Sequence, residues 1–169
     1  MKRKTKTKTL KKYPKKYVPK YLNTSNRKKQ AKEIDKSKKE YKKGKYYTRK
    51  KINSYKHVKS PHIKKAIKLY NIENMKLNKS LSKKTGCSLK ALKHIYKKGQ
   101  GAYYSSGSRP NQTADSWAYA RVASSITGGK SSKVDYHILK DGCSSNSKAL
   151  KLAQKNLKLR KTAKRKIKI

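Results

Sequence analysis

Leu81-Ser-Lys-Lys-Thr85-Gly86-Cys87-Ser88-Leu89-Lys-Ala-Leu92-Lys-His-Ile95 is the stretch that decides the fold. Its order is that of a helix-turn-helix hairpin. A helix ends at Thr85, Gly86 supplies the left-handed turn, Cys87 fills the angle between the helices, and Ser88 caps the second helix. Leu81, Cys87, Leu92 and Ile95 form the expected buried set. Lys90, Lys93, His94, Lys97 and Lys98 are expected to face outward, with Lys83 and Lys84 at the end of the first helix. In a DNA-binding arrangement the second helix would enter the major groove. Leu89, an apolar residue where base-reading side chains stand, points instead to a packing hairpin with surface lysines.

Helical signals continue on both sides. Ser60-Pro61 places a capping serine before a proline at the first helical position, and Ile63, Ala66, Ile67 and Tyr70 follow at helical spacing. After the hairpin, Gly99 is expected to stop the helix. A Gly-, Ser- and Tyr-rich loop is expected from Gly101 to Thr113. Thr113 caps a helix with Asp115 in its first turn, and Gly128-Gly129 ends it. Val134, Tyr136, Ile138 and Leu139 mark a short element before Gly142, and Ser147 caps a last helix carrying Leu150, Ala153 and Leu157. The expected fold class is mainly α: a small helical domain with a helix-turn-helix-like hairpin over 57–147, flanked by disordered basic arms. The arms are a Lys/Tyr-rich segment over 1–56 and a basic C-terminal helix or tail over 148–169.

Charge is the other dominant property. The 169 residues hold 51 Lys+Arg and 7 Asp+Glu, a formal net charge of +44. A field of that size opposes compaction and suits a polyanionic partner. It matches the charge on about 75 Å of duplex DNA, about 22 base pairs. Net charge is +21 over 1–56 (24 basic, 3 acidic), +13 over 57–147 (17 and 4) and +10 over 148–169 (10 and 0). Arginine occurs only at 3, 27, 49, 109, 121, 160 and 165, and lysine supplies the rest. Lysine binds phosphate as a point charge without fork geometry, which favours sequence-independent binding.

The first arm opens with KRKTKTKT and continues KKYPKKYVPKY, with Tyr13, Tyr17 and Tyr21 every four residues and Pro14 and Pro19 between them. Proline blocks a helix there, so the arm is expected to be extended or polyproline-like. Lys11, Lys12, Lys15 and Lys16 would neutralise phosphates while Tyr13 and Tyr17 stack on bases; a solvated tail is the alternative. Arg27–Lys43 has a helical pattern capped by Asn26, but with too few apolar residues to stand alone. At the other end Arg160, Lys164, Arg165 and Lys166 are expected phosphate contacts.

From Leu81 to Gly142 the chain resembles an uncharacterised small domain of large double-stranded DNA viruses and tailed phages. The resemblance rests on Thr85-Gly86 through Tyr96-Lys-Lys-Gly99, on Gly101-Ala-Tyr103, and on Arg109-Pro110-x-x-Thr113-x-x-x-Trp117-Ala118-x-Ala120-Arg121-Val122-x-Ser124. It implies a viral origin rather than a mechanism. Within that string Arg109 and the helix N-terminus at Thr113 would meet one phosphate. Arg121 would stack on Trp117 or pair with Asp115 or Asp135, and a structural clamp is the alternative reading of both arginines.

Other chemistry finds little footing. Ser124-Ser-Ile-Thr-Gly-Gly-Lys130-Ser131 ends like a phosphate-binding P-loop, but it lacks the first glycine and follows a helix rather than a strand. The carboxylates have no paired spacing for a metal nuclease. His57, His62, His94 and His137 are scattered, and Cys87 and Cys143 lack metal-ligand spacing, so reduced, buried thiols are expected. Neither a cofactor nor a metal is expected. Met1–Leu10 has no apolar core of a secretory leader, and no run approaches the length of a membrane span. The expectation is a non-enzymatic, largely sequence-independent protein that binds and condenses double-stranded DNA, carried inside a virion on the genome and present in host cytoplasm or nucleus during infection. The alternatives are a capsid-interior protein meeting other virion proteins and an RNA-binding or ribosome-associated protein; self-association is compatible with each.

Overall fold

The structure, a computed structural model, describes residues 13–166, with side chains described through residue 158. Among the described residues it is all-helical: α1 (Thr24–Lys42), α2 (Pro61–Tyr70), α3 (Lys79–Thr85), α4 (Leu89–Ser106), α5 (Ala114–Ile126), α6 (Lys130–Val134), α7 (Tyr136–Gly142) and α8 (Lys148–Lys166). The mainly α class expected from the sequence holds. No described helix is long and apolar enough to cross a membrane. The chain divides into two compact units. One comprises the chain up to Val58 together with Gln100–Trp117; the other comprises Lys59–Gly99 and the chain from Ala118 onward.

The second unit is built around the hairpin. Asn78 caps α3 by accepting from the Leu81 amide at 2.9 Å, and Gly86 ends it at φ 69°. A methyl group at Gly86 would also sit 2.8 Å from Ser147 Cβ. Ser88 caps α4, its Oγ accepting from the Ala91 amide at 3.2 Å. Leu81, Cys87, Leu92 and Ile95 are buried as expected. They share a core with Ala66 and Tyr70 of α2, Val122 and Ile126 of α5, Ile138 and Leu139 of α7, and Ala149, Leu150 and Ala153 of α8. The C-terminal helix is therefore part of this core at its start, where Ser147 Oγ accepts from the Leu150 amide at 3.3 Å. Pro61 opens α2 as expected, although Ser60 makes no side-chain capping bond.

Two expectations change here. Gly99 does not stop α4, which runs on to Ser106. Its role is close approach: a methyl group on Gly99 would lie 2.6 Å from Ala118 Cα, so glycine lets the two backbones pass. Gly99→Ala is expected to destabilise by about 1–3 kcal/mol through overpacking. Gly101→Ala, where the added methyl meets only Tyr41 Oη at 3.4 Å, is expected to be neutral or mildly stabilising. Urea denaturation followed by circular dichroism separates the two.

The second change concerns the cysteines. They are buried but not reduced: Cys87 and Cys143 form a disulfide across 56 residues. The backbones already meet there, with the Ser88 amide donating to Gly142 O at 2.7 Å and the Ser144 amide to Gly86 O at 2.8 Å. The thiols were unreadable as a pair because the contact joins the hairpin turn to the end of α7, far apart in sequence.

The first unit overturns the disordered arm for residues 13–56. Pro14 and Pro19 start turns instead of an extended strip: the Tyr17 and Val18 amides donate to Pro14 O, and the Leu22 amide to Pro19 O. Asn23, not Asn26, caps α1, accepting from the Asn26 amide at 2.8 Å. α1 buries Gln30, Ala31, Ile34 and Ser37, with Ala31 and Ile34 packed against Tyr13 and Val18. Its deficit of apolar residues is met by the segment expected as an open loop. Gln30 Nε2 reaches Ser108 O at 3.4 Å, and Gly107 lies against Ile34. Asn111 holds Ile52 from both sides, accepting from its amide at 2.8 Å and donating to its carbonyl at 2.9 Å.

Candidate nucleic-acid interface

Four of the seven carboxylates are engaged by hydrogen bonds within the fold, although only Asp135 is fully buried and Asp115 is exposed. Glu33 accepts from Tyr47 Oη at 2.9 Å and from the Lys50 amide at 2.8 Å. Asp35 accepts from Tyr13 Oη, Asp115 from Gln100 Nε2 at 2.8 Å, and Asp135 is fully buried. Lysine therefore far outnumbers acid on the outer faces, where Glu73, Asp115 and Asp141 are the exposed carboxylates among the described residues.

Those faces follow from helical periodicity. In the second unit, Lys90, Lys93, His94 and Lys97 occupy i, i+3, i+4 and i+7 of α4 and all are exposed, opposite the buried Ala91, Leu92 and Ile95. This cationic stripe spans about 10 Å of helix. Lys83 and Lys84 are exposed at the end of α3, where Lys84 Nζ also donates to Asn71 O. On α8 of the same unit Lys148, Lys151, Lys155 and Lys158 are exposed along one face. In the first unit the outer face of α1 carries exposed Lys28, Lys32, Lys36 and Lys39, exposed Lys43 follows at its C-cap, and Lys36 Nζ lies 4.3 Å from the Tyr47 ring centre. Lys15 and Lys16 are exposed in the turn before it.

Several residues expected as nucleic-acid contacts serve the fold instead. Arg121 is the clamp of the second unit: its Nε donates to Asp135 Oδ2 at 2.9 Å and its NH2 to Oδ1 at 2.7 Å. Ser125 Oγ donates to the same carboxylate at 2.9 Å, and half-buried Lys98 Nζ approaches it at 3.3 Å. Burial opposes the Asp135 charge, but the bonds and charge of Arg121, with Ser125 and Lys98, outweigh it and hold the carboxyl below its usual range. Of the partners expected for Arg121, Asp135 is the one found. Tyr13 is buried rather than presented to bases, and burial together with Asp35 pushes its hydroxyl well above the ordinary value. Tyr17 is half-buried and meets Trp117 edge-on at 5.9 Å. Arg109 is half-buried, acting electrostatically on Tyr55, and Thr113 closes its helix start through Ser116, each accepting from the other's amide at 3.0 Å. That reciprocal cap satisfies amides a phosphate would have used. Lys11 and Lys12 lie outside the described residues, as do the side chains of Arg160, Lys164, Arg165 and Lys166.

The P-loop-like string is closed in the same way. The Gly129 amide donates to Ser124 O at 2.7 Å and the Ser131 amide to Ser124 Oγ at 3.2 Å. Asn156 of α8 holds the Gly128 and Gly129 carbonyls at 3.0 Å each. Among the described residues no group of three or more His, Cys, Asp or Glu is arranged to hold a metal.

One residue that the sequence reading passed over organises the first unit. Arg49 is buried, donates from NH1 to Ser37 Oγ at 3.0 Å and Tyr103 O at 2.9 Å, and from NH2 to Ser108 Oγ at 2.7 Å. Its guanidinium carbon stands 3.6 Å from the Tyr103 ring centre. Burial pulls its pKa below the ordinary value, against the opposing effect of Tyr103. The available signal was its rarity: an arginine in a lysine-rich chain marks a place that needs a planar fork.

Fold and surface together define a strongly basic, mainly helical protein in which four of the seven acids are bonded to neighbouring groups of the fold. A family model matches residues 14–148, and the chain belongs to that family, described as "Family of unknown function (DUF5824)". The match begins one residue after the described structure does and takes in most of the segment expected as an arm. No curated protein and no solved structure matches the chain.

Proposed function

We propose that this protein is a non-enzymatic, largely sequence-independent binder and condenser of double-stranded DNA, associated with the genome of a large DNA virus inside its particle. The observation that carries the reading is the pairing of a +44 charge with lysine stripes on the outer faces of α1, α4 and α8, while four of seven acids serve the fold. Lysine stripes meet phosphates as point charges, and binding is driven by counterion release. The hairpin orients the α4 stripe, and each of the two compact units carries exposed lysines of its own.

A salt titration on random duplex DNA tests this. Log affinity is expected to fall linearly with log salt, by about 0.9 per phosphate neutralised. Replacing Lys90, Lys93 and Lys97 together by glutamine is expected to make that slope shallower by about 2–3, with unchanged thermal unfolding. An affinity indifferent to salt would overturn the reading. Preference for structured RNA over duplex would transfer it to RNA.

A further inference from the structure

Three tyrosines, the exposed Tyr46 and the half-buried Tyr41 and Tyr104, form an aromatic cluster in the first unit, and none of them was expected to meet a ligand. The Tyr41 and Tyr104 rings are stacked, 5.8 Å apart and 14° from parallel. Tyr46 tilts against both, at 5.1 Å from Tyr104 and 6.1 Å from Tyr41, and is 74 % exposed. The cluster has a rigid foundation. Tyr103, fully buried beneath the Arg49 guanidinium, meets Tyr104 edge-on at 5.0 Å.

Its rim is cationic. Lys42, Lys43 and Lys45 are exposed beside Tyr41 and Tyr46 in the chain. A hollow next to Tyr41 is lined by Lys38, Lys39 and Lys42, with Asp35 and Ser105. Asp35 in that hollow already accepts from Tyr13, and Asp115, which acts on Tyr104, already accepts from Gln100.

An exposed ring on a fixed aromatic base with lysines around it suits a partner that offers flat π-faces joined by phosphates. Duplex DNA hides its base faces within the stack; a single strand presents them. We propose that Tyr46, backed by Tyr41 and Tyr104, is a stacking platform for unpaired bases of single-stranded nucleic acid, with Lys42, Lys43 and Lys45 meeting the adjoining phosphates. This is a different capacity from duplex neutralisation, which needs no base contact.

The test uses the full chain with oligo(dT) and oligo(U) of about 16 nucleotides, an abasic oligomer of the same length, and a duplex of equal phosphate number. Wild type is expected to prefer the base-bearing strands to the abasic one. Tyr46→Ala is expected to lose about five-fold or more in affinity for a base-bearing strand, Tyr46→Phe to retain it, and duplex binding to stay unchanged in both. Tyr46 is mostly exposed, so both variants should fold, which circular dichroism checks. A loss with either oligomer supports the platform, and the larger loss identifies whether deoxyribo- or ribonucleotide strands are its ligand. An unchanged affinity of Tyr46→Ala for both strands, an equal loss on the duplex, or equal wild-type binding of abasic and base-bearing strands would overturn it. Failure of the duplex reading would show instead as a flat salt dependence in wild type.

Discussion

Arg121→Met is expected to lower the unfolding free energy by about 3–5 kcal/mol at neutral pH. The variant keeps most of the aliphatic stem but leaves the Asp135 carboxylate fully buried with only Ser125 Oγ and Lys98 beside it. An uncompensated buried charge costs far more than the pair contributes. The pH dependence gives a second readout. Asp135 is held below the usual carboxylate range in the native protein. Its stabilising contribution is therefore complete above the unfolded-state value, about 3.9, and is lost as pH falls through the lower native value. The deficit of Arg121→Met should accordingly be largest near neutrality and shrink in acid, where the carboxyl is protonated in either protein. The double variant Arg121→Met, Asp135→Leu should recover most of the loss, since it removes both charges. Equal urea midpoints for wild type and Arg121→Met at pH 7 would refute the clamp.

Loss of the Cys87–Cys143 bond is the other large effect. Closing a loop of 56 residues constrains the unfolded chain by about 4 kcal/mol in the chain-entropy description. Cys87→Ser with Cys143→Ser is expected to lower stability by up to about that amount, while the two backbone bonds at Ser88 and Ser144 keep the native contact in place. The variant should therefore fold to the same helix content and unfold at lower urea. Native protein should reduce slowly, because both residues are buried. Thiol titration of denatured, unreduced protein should find no reactive cysteine. Two titrated thiols, or one urea midpoint shared by wild type and the double variant, would refute this expectation.

Local chemistry was legible along the chain. Gly86 ends α3, Ser88 opens α4, Thr113 opens α5, Ser147 opens α8, and each cap works through atoms within a few residues of itself. The same holds for the hairpin's buried set and for Lys90, Lys93, His94 and Lys97 opposite it, because one helical period places both, whereas Lys98 turns in toward Asp135. Net charge needs no structure at all. Of the interface, the α4 stripe was readable for this reason, whereas the tyrosines at 41, 46 and 104 come from three separate segments and share no period.

What the tertiary structure decided lies where distant segments meet. Residues 13–56 carry too little apolar surface to fold alone, and they are ordered by Gln100–Trp117, through Arg49 on Tyr103 and Asn111 on Ile52. Gly99 is read locally as a helix stop, yet α4 passes through it because a neighbouring backbone at Ala118 requires a residue without a side chain. Whether Arg121 met a phosphate or Asp135, and whether Cys87 stayed a thiol, depended on which residue arrived beside each of them. The sequence by itself determined the charge, the mainly helical class and the caps at Gly86, Ser88, Thr113 and Ser147, since those caps act over about one helical turn. The pairings of arginines, cysteines and tyrosines were left to packing, since each one joins residues that only the folded chain brings together.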